Sequence, residues 1–219
     1  MAAQSSSTNI DTVIFGGGVS GLWLLAHLTE LGHAAVLLES SELGRGQTVA
    51  SQGIVHGGFK YSLGGMVTQS ARKVSDLPQL WRRCLAGEQQ PRIKNTRMRA
   101  EFCYLWQTQS LKSRLSMLSA RALLKISPTR LALEAIPEIL GDCPGQVYRL
   151  NEQVLEPASL IANLADQLND RILRIDTNSG LEIVCSEPGH VNLIRLMNPD
   201  TGEPLDLAPR HVIFTAGTG

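Results

Sequence analysis

The stretch that most constrains this chain is Asp11 to Glu39, DTVIFGGGVSGLWLLAHLTELGHAAVLLE. It opens with a short apolar run, Val13-Ile14-Phe15. Three glycines follow, then Val19-Ser20-Gly21, which gives the spacing Gly16-x-Gly18-x-x-Gly21. From Val19 to about Leu31 the apolar residues Leu22, Leu25 and Leu28 recur at helical spacing, and Gly32 is a natural stop. A second apolar run, Val36-Leu37-Leu38, ends on Glu39. The pattern predicts a strand, a glycine turn, a helix and a parallel strand.

Each residue type has a physical job in such a unit. Gly16 permits the tight turn, Gly18 lets a pyrophosphate approach the backbone, and Gly21 lets the helix pack close to the strand. Ser20 stands in the helix's first turn, where unpaired N–H groups and the positive dipole end favour phosphate. Glu39 lies 18 residues past Gly21. An acid near that position accepts hydrogen bonds from an adenosine ribose and disfavours an extra phosphate there. The spacing therefore predicts a dinucleotide site. A ligand-free glycine turn would not require Glu39.

Composition narrows the class. The chain has 219 residues, 43% hydrophobic and 18% charged, with zero formal net charge. That suits a globular protein of one or two domains. Neutrality gives no global pull toward nucleic acid or an anionic membrane. The clusters Arg92-Ile93-Lys94 and Arg97-Met98-Arg99 read as solvated strand faces. MAAQSSSTN lacks a basic segment followed by an apolar core, so it does not read as a secretory signal. No apolar run is long enough for a transmembrane helix. The four cysteines are scattered, without CxxC pairs. That suits reduced thiols in a cytoplasmic protein, peripheral membrane association being left open, and no metal site is expected.

Residues 40 to 65, SSELGRGQTVASQGIVHGGFKYSLGG, are rich in Gly, Ser, Gln and Thr. The segment reads as a loop leaving the end of the second strand, beside the edge where a cofactor lies. Ser40, Arg45, Thr48 and Ser51 offer donors to phosphate or ribitol-like hydroxyls. Gly53-Ile54-Val55-His56-Gly57-Gly58 would bring main chain and one imidazole near a flat ring.

With these residues in view, the chain resembles the FAD-dependent oxidoreductase family of D-amino-acid oxidase, glycine oxidase and glycerol-3-phosphate dehydrogenase. Residues 51 to 61, SQGIVHGGFKY, are most similar to the loop of L-2-hydroxyglutarate oxidases and glycerol-3-phosphate dehydrogenases. His56 matches the loop histidine, Gly58 the following glycine, and Tyr61 the nearby aromatic. The resemblance implies FAD as cofactor, His56 as a catalytic or substrate-binding residue, and Tyr61 as a substrate contact. Lys60 reads as a solvated charge. The FAD is expected to be held without a covalent link.

The rest of the chain is read more coarsely. A helix is expected from Gly65 to about Ala86, kinked or divided by Pro78. A strand follows from Arg99 to Trp106, then a helix over Gln109–Leu124 and a second short helical piece over Leu131–Leu140, interrupted by Pro137. A strand is expected at Val147–Leu150. A helix over Ala158–Leu168 carries Leu160, Ile161, Leu164 and Leu168 on one face. Strands are expected at Ile172–Ile175, Leu181–Ser186 and Val191–Met197, and Arg210–Phe214 runs as a last strand into Thr215-Ala216-Gly217. The resemblance implies that this turn, with Gly217, returns to the cofactor. It also implies that the strand near Leu181 passes the adenine.

The fold class expected is α/β. It comprises a Rossmann-like FAD-binding domain, with a parallel sheet and a β-meander, plus part of an α+β substrate domain. The FAD-binding part would take residues 1–75 and 146–219, and the substrate side 76–145. Because family members continue further, the resemblance reads the chain as an N-terminal portion. The function expected is hydride transfer from a small substrate to flavin, with oxygen or a quinone as electron acceptor. A CH–OH group of a 2-hydroxy acid or polyol phosphate is favoured. The alternatives are oxidation of an amino-acid CH–NH group, a nicotinamide-dependent dehydrogenase, and an inactive nucleotide-binding fragment.

Overall fold

The computed structural model describes residues 7–58, 74–107, 128–178, 180–197 and 202–217. In chain order the regular elements are β1 (Thr8–Phe15), α1 (Val19–Glu30), β2 (Ala35–Glu39), α2 (Leu77–Ala86), β3 (Met98–Ala100), β4 (Cys103–Gln107) and β5 (Thr129–Arg130). They continue with β6 (Gln146–Leu150), β7 (Val154–Leu155), α3 (Pro157–Asp166), β8 (Ile172–Arg174), β9 (Leu181–Glu187), β10 (His190–Met197) and β11 (Pro204–Phe214).

The chain divides into two compact units. The first takes residues 1–51, 90–95 and 157–219, and the second takes 52–89 and 96–156. These boundaries differ from a division at 75 and 145. The chain leaves the first unit at Ser51, dips back at Gln90–Asn95, and returns for good at Pro157. The dip has a physical cause. Ile93 is fully buried, Asn95 N–H donates to Asn163 Oδ1 (3.1 Å), and Gln167 Nε2 donates to the Arg92 carbonyl (2.9 Å). Arg92-Ile93-Lys94 is thus a loop pinned to α3, not a strand face.

The first unit is built on a six-stranded sheet in the order β8-β2-β1-β11-β10-β9. β8, β2, β1 and β11 run parallel, and β11-β10-β9 form an antiparallel meander. Val13-Ile14-Phe15 of β1 and Val36-Leu37-Leu38 of β2 are apolar without alternation, as expected of parallel strands covered on both faces. Val13, Ile14, Leu22, Leu25 and Leu37 are fully buried. A core of Ile10, Val13, Phe15, Leu38, Ile175, Ile194, Leu196 and Leu207 spans parallel and meander strands. The expected face of α3 and its end, Leu160, Ile161, Leu164 and Leu168, is buried throughout.

The second unit contains α2, the β3–β7 pair and the three-stranded sheet β4-β6-β5. Pro78 lies in the first turn of α2 rather than kinking it, where its missing N–H costs nothing. The helix expected upstream of residue 74 and the one over Gln109–Leu124 fall largely or wholly outside the described residues.

Three expectations are corrected. Arg99–Trp106 is not one strand. It breaks at Glu101-Phe102, with β3 pairing to β7 and β4 to β6. Leu131–Leu140 is not an α-helix. It forms two 3₁₀ turns, Leu133–Ala135 and Glu138–Leu140. Pro137 removes the donor that would join them, and Leu133 and Ile139 lie 83% and 90% exposed, so no apolar face drives a helix. The last strand starts at Pro204, well before Arg210. Pro209 lies past the end of the β10 pairing, where a strand tolerates a missing N–H.

Candidate functional site

The turn after β1 is held by backbone on every side. Gly16 has φ +108°, and a Cβ there would stand 2.7 Å from the Ala216 backbone. Gly16 N–H donates to the Leu38 carbonyl (2.9 Å). Gly21 faces a tighter limit, since a Cβ would stand 2.0 Å from the Gly16 carbonyl oxygen and 2.7 Å from Thr215 Oγ1. Thr215 Oγ1 lies 3.0 and 2.9 Å from the Phe15 and Gly16 carbonyls, to which it donates, and Thr215 N–H also donates to Phe15 (2.7 Å). The turn after β11 therefore locks onto the turn after β1. Gly217, with φ +66°, ends that turn, exposed and with open space around it.

Gly18 caps α1 with extended backbone and no side-chain cap bond. Thr48 substitutes from a distance, its Oγ1 accepting from Val19 N–H (3.2 Å). The first-turn N–H groups of Ser20 and Gly21 have no intrahelical acceptor, which leaves them suited to a phosphate. The loop after β2 does not swing free. Gly44 N–H donates to the Gly17 carbonyl (2.8 Å), and the chain then turns back on itself through Val49, Ala50 and Ser51 N–H groups.

Glu39 links the two halves of this edge. Its Oε2 accepts from Gly17 N–H (2.6 Å) and its Oε1 from Ser41 N–H (2.7 Å). Each carboxylate oxygen keeps a further lone pair, the acceptor set a ribose diol needs. Among the other candidates here, Arg45 donates to Ser41 Oγ (3.0 Å) on the surface. Ser40 is exposed, and Ser51 closes a turn on the Thr48 carbonyl.

Leu181 lies in the meander. It opens β9, three strands from β1 on the side away from β2. Its side chain packs on the meander core. The strand beside Glu39 is β8, with Glu39 opposite Arg174 and the Glu39 carbonyl accepting from Ile175 N–H (3.0 Å).

In the second unit, residues 53–57 pair with 152–155. Leu155 N–H donates to the Gly53 carbonyl and Val55 N–H to the Gln153 carbonyl, both at 2.9 Å. Ile54 bridges Val154. Gly53 has φ +72°, and a Cβ would stand 2.0 Å from the Leu155 carbonyl oxygen, so its glycine is required by this pairing. The ladder sets His56 against Glu152. His56 Nδ1 lies 3.2 Å from Glu152 Oε2, and Gly57 N–H donates to Oε1 (2.8 Å). The Glu152 side chain is only 4% exposed, the His56 ring 29%. Cys103 Sγ–H donates to the Glu152 carbonyl (3.4 Å). Burial, and secondarily the Glu152 charge, pushes that thiol above its usual range. Lys60 and Tyr61 lie outside the described residues.

Sequence reasoning passed over Gly17, Thr48's role as a helix cap, Thr215, and Glu152. The signal for Glu152 was its company: Asn151-Glu152-Gln153 is a polar triplet between the apolar strands β6 and β7, and Gln153 is fully buried with its Nε2 donating to the Pro78 carbonyl (2.8 Å).

Comparison with known proteins fits this geometry. The model of the family described as FAD dependent oxidoreductase matches residues 11–219. A probable FAD-dependent oxidoreductase of Pseudomonas aeruginosa is 39% identical over 172 residues, 78% of this chain and 44% of that protein. The crystal structure of the same Pseudomonas protein superposes with a TM-score of 0.70 and 30% identity, over 99% of this chain and 50% of its own. Glycine oxidase from Geobacillus kaustophilus superposes with a TM-score of 0.63 at 16% identity, over 96% of this chain and 56% of its own, which is a likeness of fold. The chain thus spans about half the length of these relatives. The α/β class with a Rossmann-like sheet is as expected, and FAD, not a nicotinamide, is the family's cofactor. Among the described residues no helix is long and apolar enough to cross a membrane.

Proposed function

The chain belongs to the FAD-dependent oxidoreductase family, and from that premise we propose that the protein oxidises the CH–OH group of a small substrate, a 2-hydroxy acid or a polyol phosphate. The observation that carries this reading is the pairing of His56 with the buried carboxylate of Glu152. Bound FAD supplies a two-electron acceptor for the hydride from the substrate carbon. Removing hydride from an alcohol leaves a carbonyl only if the hydroxyl proton also departs, so a positioned base is required. An amine, entering neutral, drives hydride loss with its own lone pair and needs no such base.

In this reading the residues of the first unit bind the cofactor. When FAD is bound, the Ser20 and Gly21 N–H groups would hold its pyrophosphate and Glu39 would accept from its adenosine ribose. Gly16, Gly18 and Gly217 keep side chains away from the phosphates. Arg45, Thr48 and Ser51 order the loop beside them. His56 takes the substrate hydroxyl proton, and oxygen or a quinone reoxidises the system.

A second reading, oxidation of an amino-acid CH–NH group, is favoured by the likeness to glycine oxidase. Anaerobic mixing of the purified flavoprotein with single substrates separates the two. Bleaching of the flavin absorbance by 2-hydroxy acids or polyol phosphates, and not by amino acids, is expected. Bleaching by amino acids alone would overturn the proposal.

A further inference from the structure

Resting on that reading of His56, we propose that Glu152 is a positioning residue that decides which imidazole nitrogen carries the proton. The assignment follows from two adjacent donors sharing one carboxylate. Glu152 Oε1 is taken by Gly57 N–H at 2.8 Å, and Oε2 faces His56 Nδ1 at 3.2 Å. An ionised carboxylate only accepts. It therefore holds a proton on Nδ1, and on the neutral ring the lone pair lies on Nε2. Nε2 is then the nitrogen that takes the substrate hydroxyl proton.

The frame around the pair is rigid where it matters. Val55 and Leu155 N–H groups tie residues 53–55 to residues 153–155, immediately beside both partners. The Cys103 thiol donates to the Glu152 carbonyl from β4. With the Glu152 side chain 4% exposed, water competes little for either oxygen.

The substitution Glu152→Gln has a forced outcome. Gly57 N–H is a backbone donor and cannot reverse. The amide oxygen of glutamine must turn to it, which points the amide NH₂ at His56 Nδ1. That nitrogen must then accept, and the ring proton moves to Nε2.

The test is nitrogen-15 NMR of the histidine rings in the purified protein, with H56Q identifying the His56 signals. Once the ring is neutral, the wild type is expected to carry its proton on Nδ1, and E152Q on Nε2. In E152Q, kcat for the hydroxy substrate is expected to fall about 10²- to 10⁴-fold, the usual size of a lost general base, with KM and flavin content near wild type. An Nε2–H ring in the wild type would overturn the proposal whether or not E152Q folds. So would an unchanged tautomer in E152Q, or an inverted one with unchanged kcat. If the tautomer inverts as expected but no hydroxy substrate is oxidised by the wild type, the positioning role stands and the proposed substrate class fails.

Discussion

Glu39 and Glu152 do the same local job in two different settings. Each carboxylate accepts a glycine N–H, from Gly17 at 2.6 Å and Gly57 at 2.8 Å. Each spends its other oxygen on a second partner. For Glu39 that partner is the backbone of Ser41, and for Glu152 it is the His56 ring. Glu39 stands half-buried at the open end of the sheet, whereas Glu152 is buried inside its unit. A carboxylate at an open edge is free to gain ligand donors. A buried one is committed to its protein partners, so its worth lies in how it orients them.

The comparison can be broken at the glycine turn first, where the effect is largest. Gly21→Ala forces a Cβ to within 2.0 Å of a backbone carbonyl oxygen. Either α1 or the turn must move, so the protein is expected to lose its flavin and about 1–3 kcal/mol of stability, the usual cost of overpacking. Flavin content after purification and a denaturant midpoint check both. Glu152→Ala comes next. It leaves the buried Gly57 N–H without its acceptor, at about 1–3 kcal/mol, while flavin content stays near wild type. Glu39→Ala also costs stability, since the buried Gly17 N–H loses its acceptor, but it should in addition weaken flavin affinity about tenfold or more, as for a lost charge-assisted bond. Equal effects on flavin affinity from the two alanines would erase the distinction. Thr48→Ala is milder, about 0.5–1.5 kcal/mol, since it removes one partly buried bond to Val19 N–H.

The two regions also differ in how far they could be read in advance. The glycine spacing, α1 and Glu39 lie within one βαβ unit, so local sequence carried nearly all their geometry. The buried face of α3 followed from period alone, as did that of α1 at Leu22 and Leu25 but not at Leu28, which is half-buried. What escaped depended on partners far along the chain. Glu152 meets His56 across a separation of 96 residues, and Thr215 meets Gly16 across 199. β8 has only three residues and stands beside Glu39 only through its pairing with β2. Leu131–Leu140 has helical spacing, yet it carries Pro137 and buries no apolar face, so the pattern had nothing to act on. Gly53 shows a subtler case. The Leu155 carbonyl requires a glycine there whatever approaches from outside, a constraint set by a partner distant in the sequence.

The smallest expected effect sharpens the electrostatic side of the comparison. The Cys103 thiol is held above its ordinary range, first by burial and then by the Glu152 charge. Both favour the neutral thiol, so in the folded state it ionises at higher pH than in the unfolded chain. This group's contribution to stability is therefore intact below the ordinary thiol pKa and is lost as the pH rises above it. Glu152→Gln removes the charge but leaves the burial. The pH at which Cys103 becomes reactive toward a thiol reagent should fall in that variant, yet stay above that of a free cysteine. Replacing the other three cysteines isolates the signal. If the reactivity profile is unchanged, the Glu152 charge does not reach Cys103. A profile as low as free cysteine would instead mean that the variant had opened the unit, and would disqualify it as a clean test of the His56 ring.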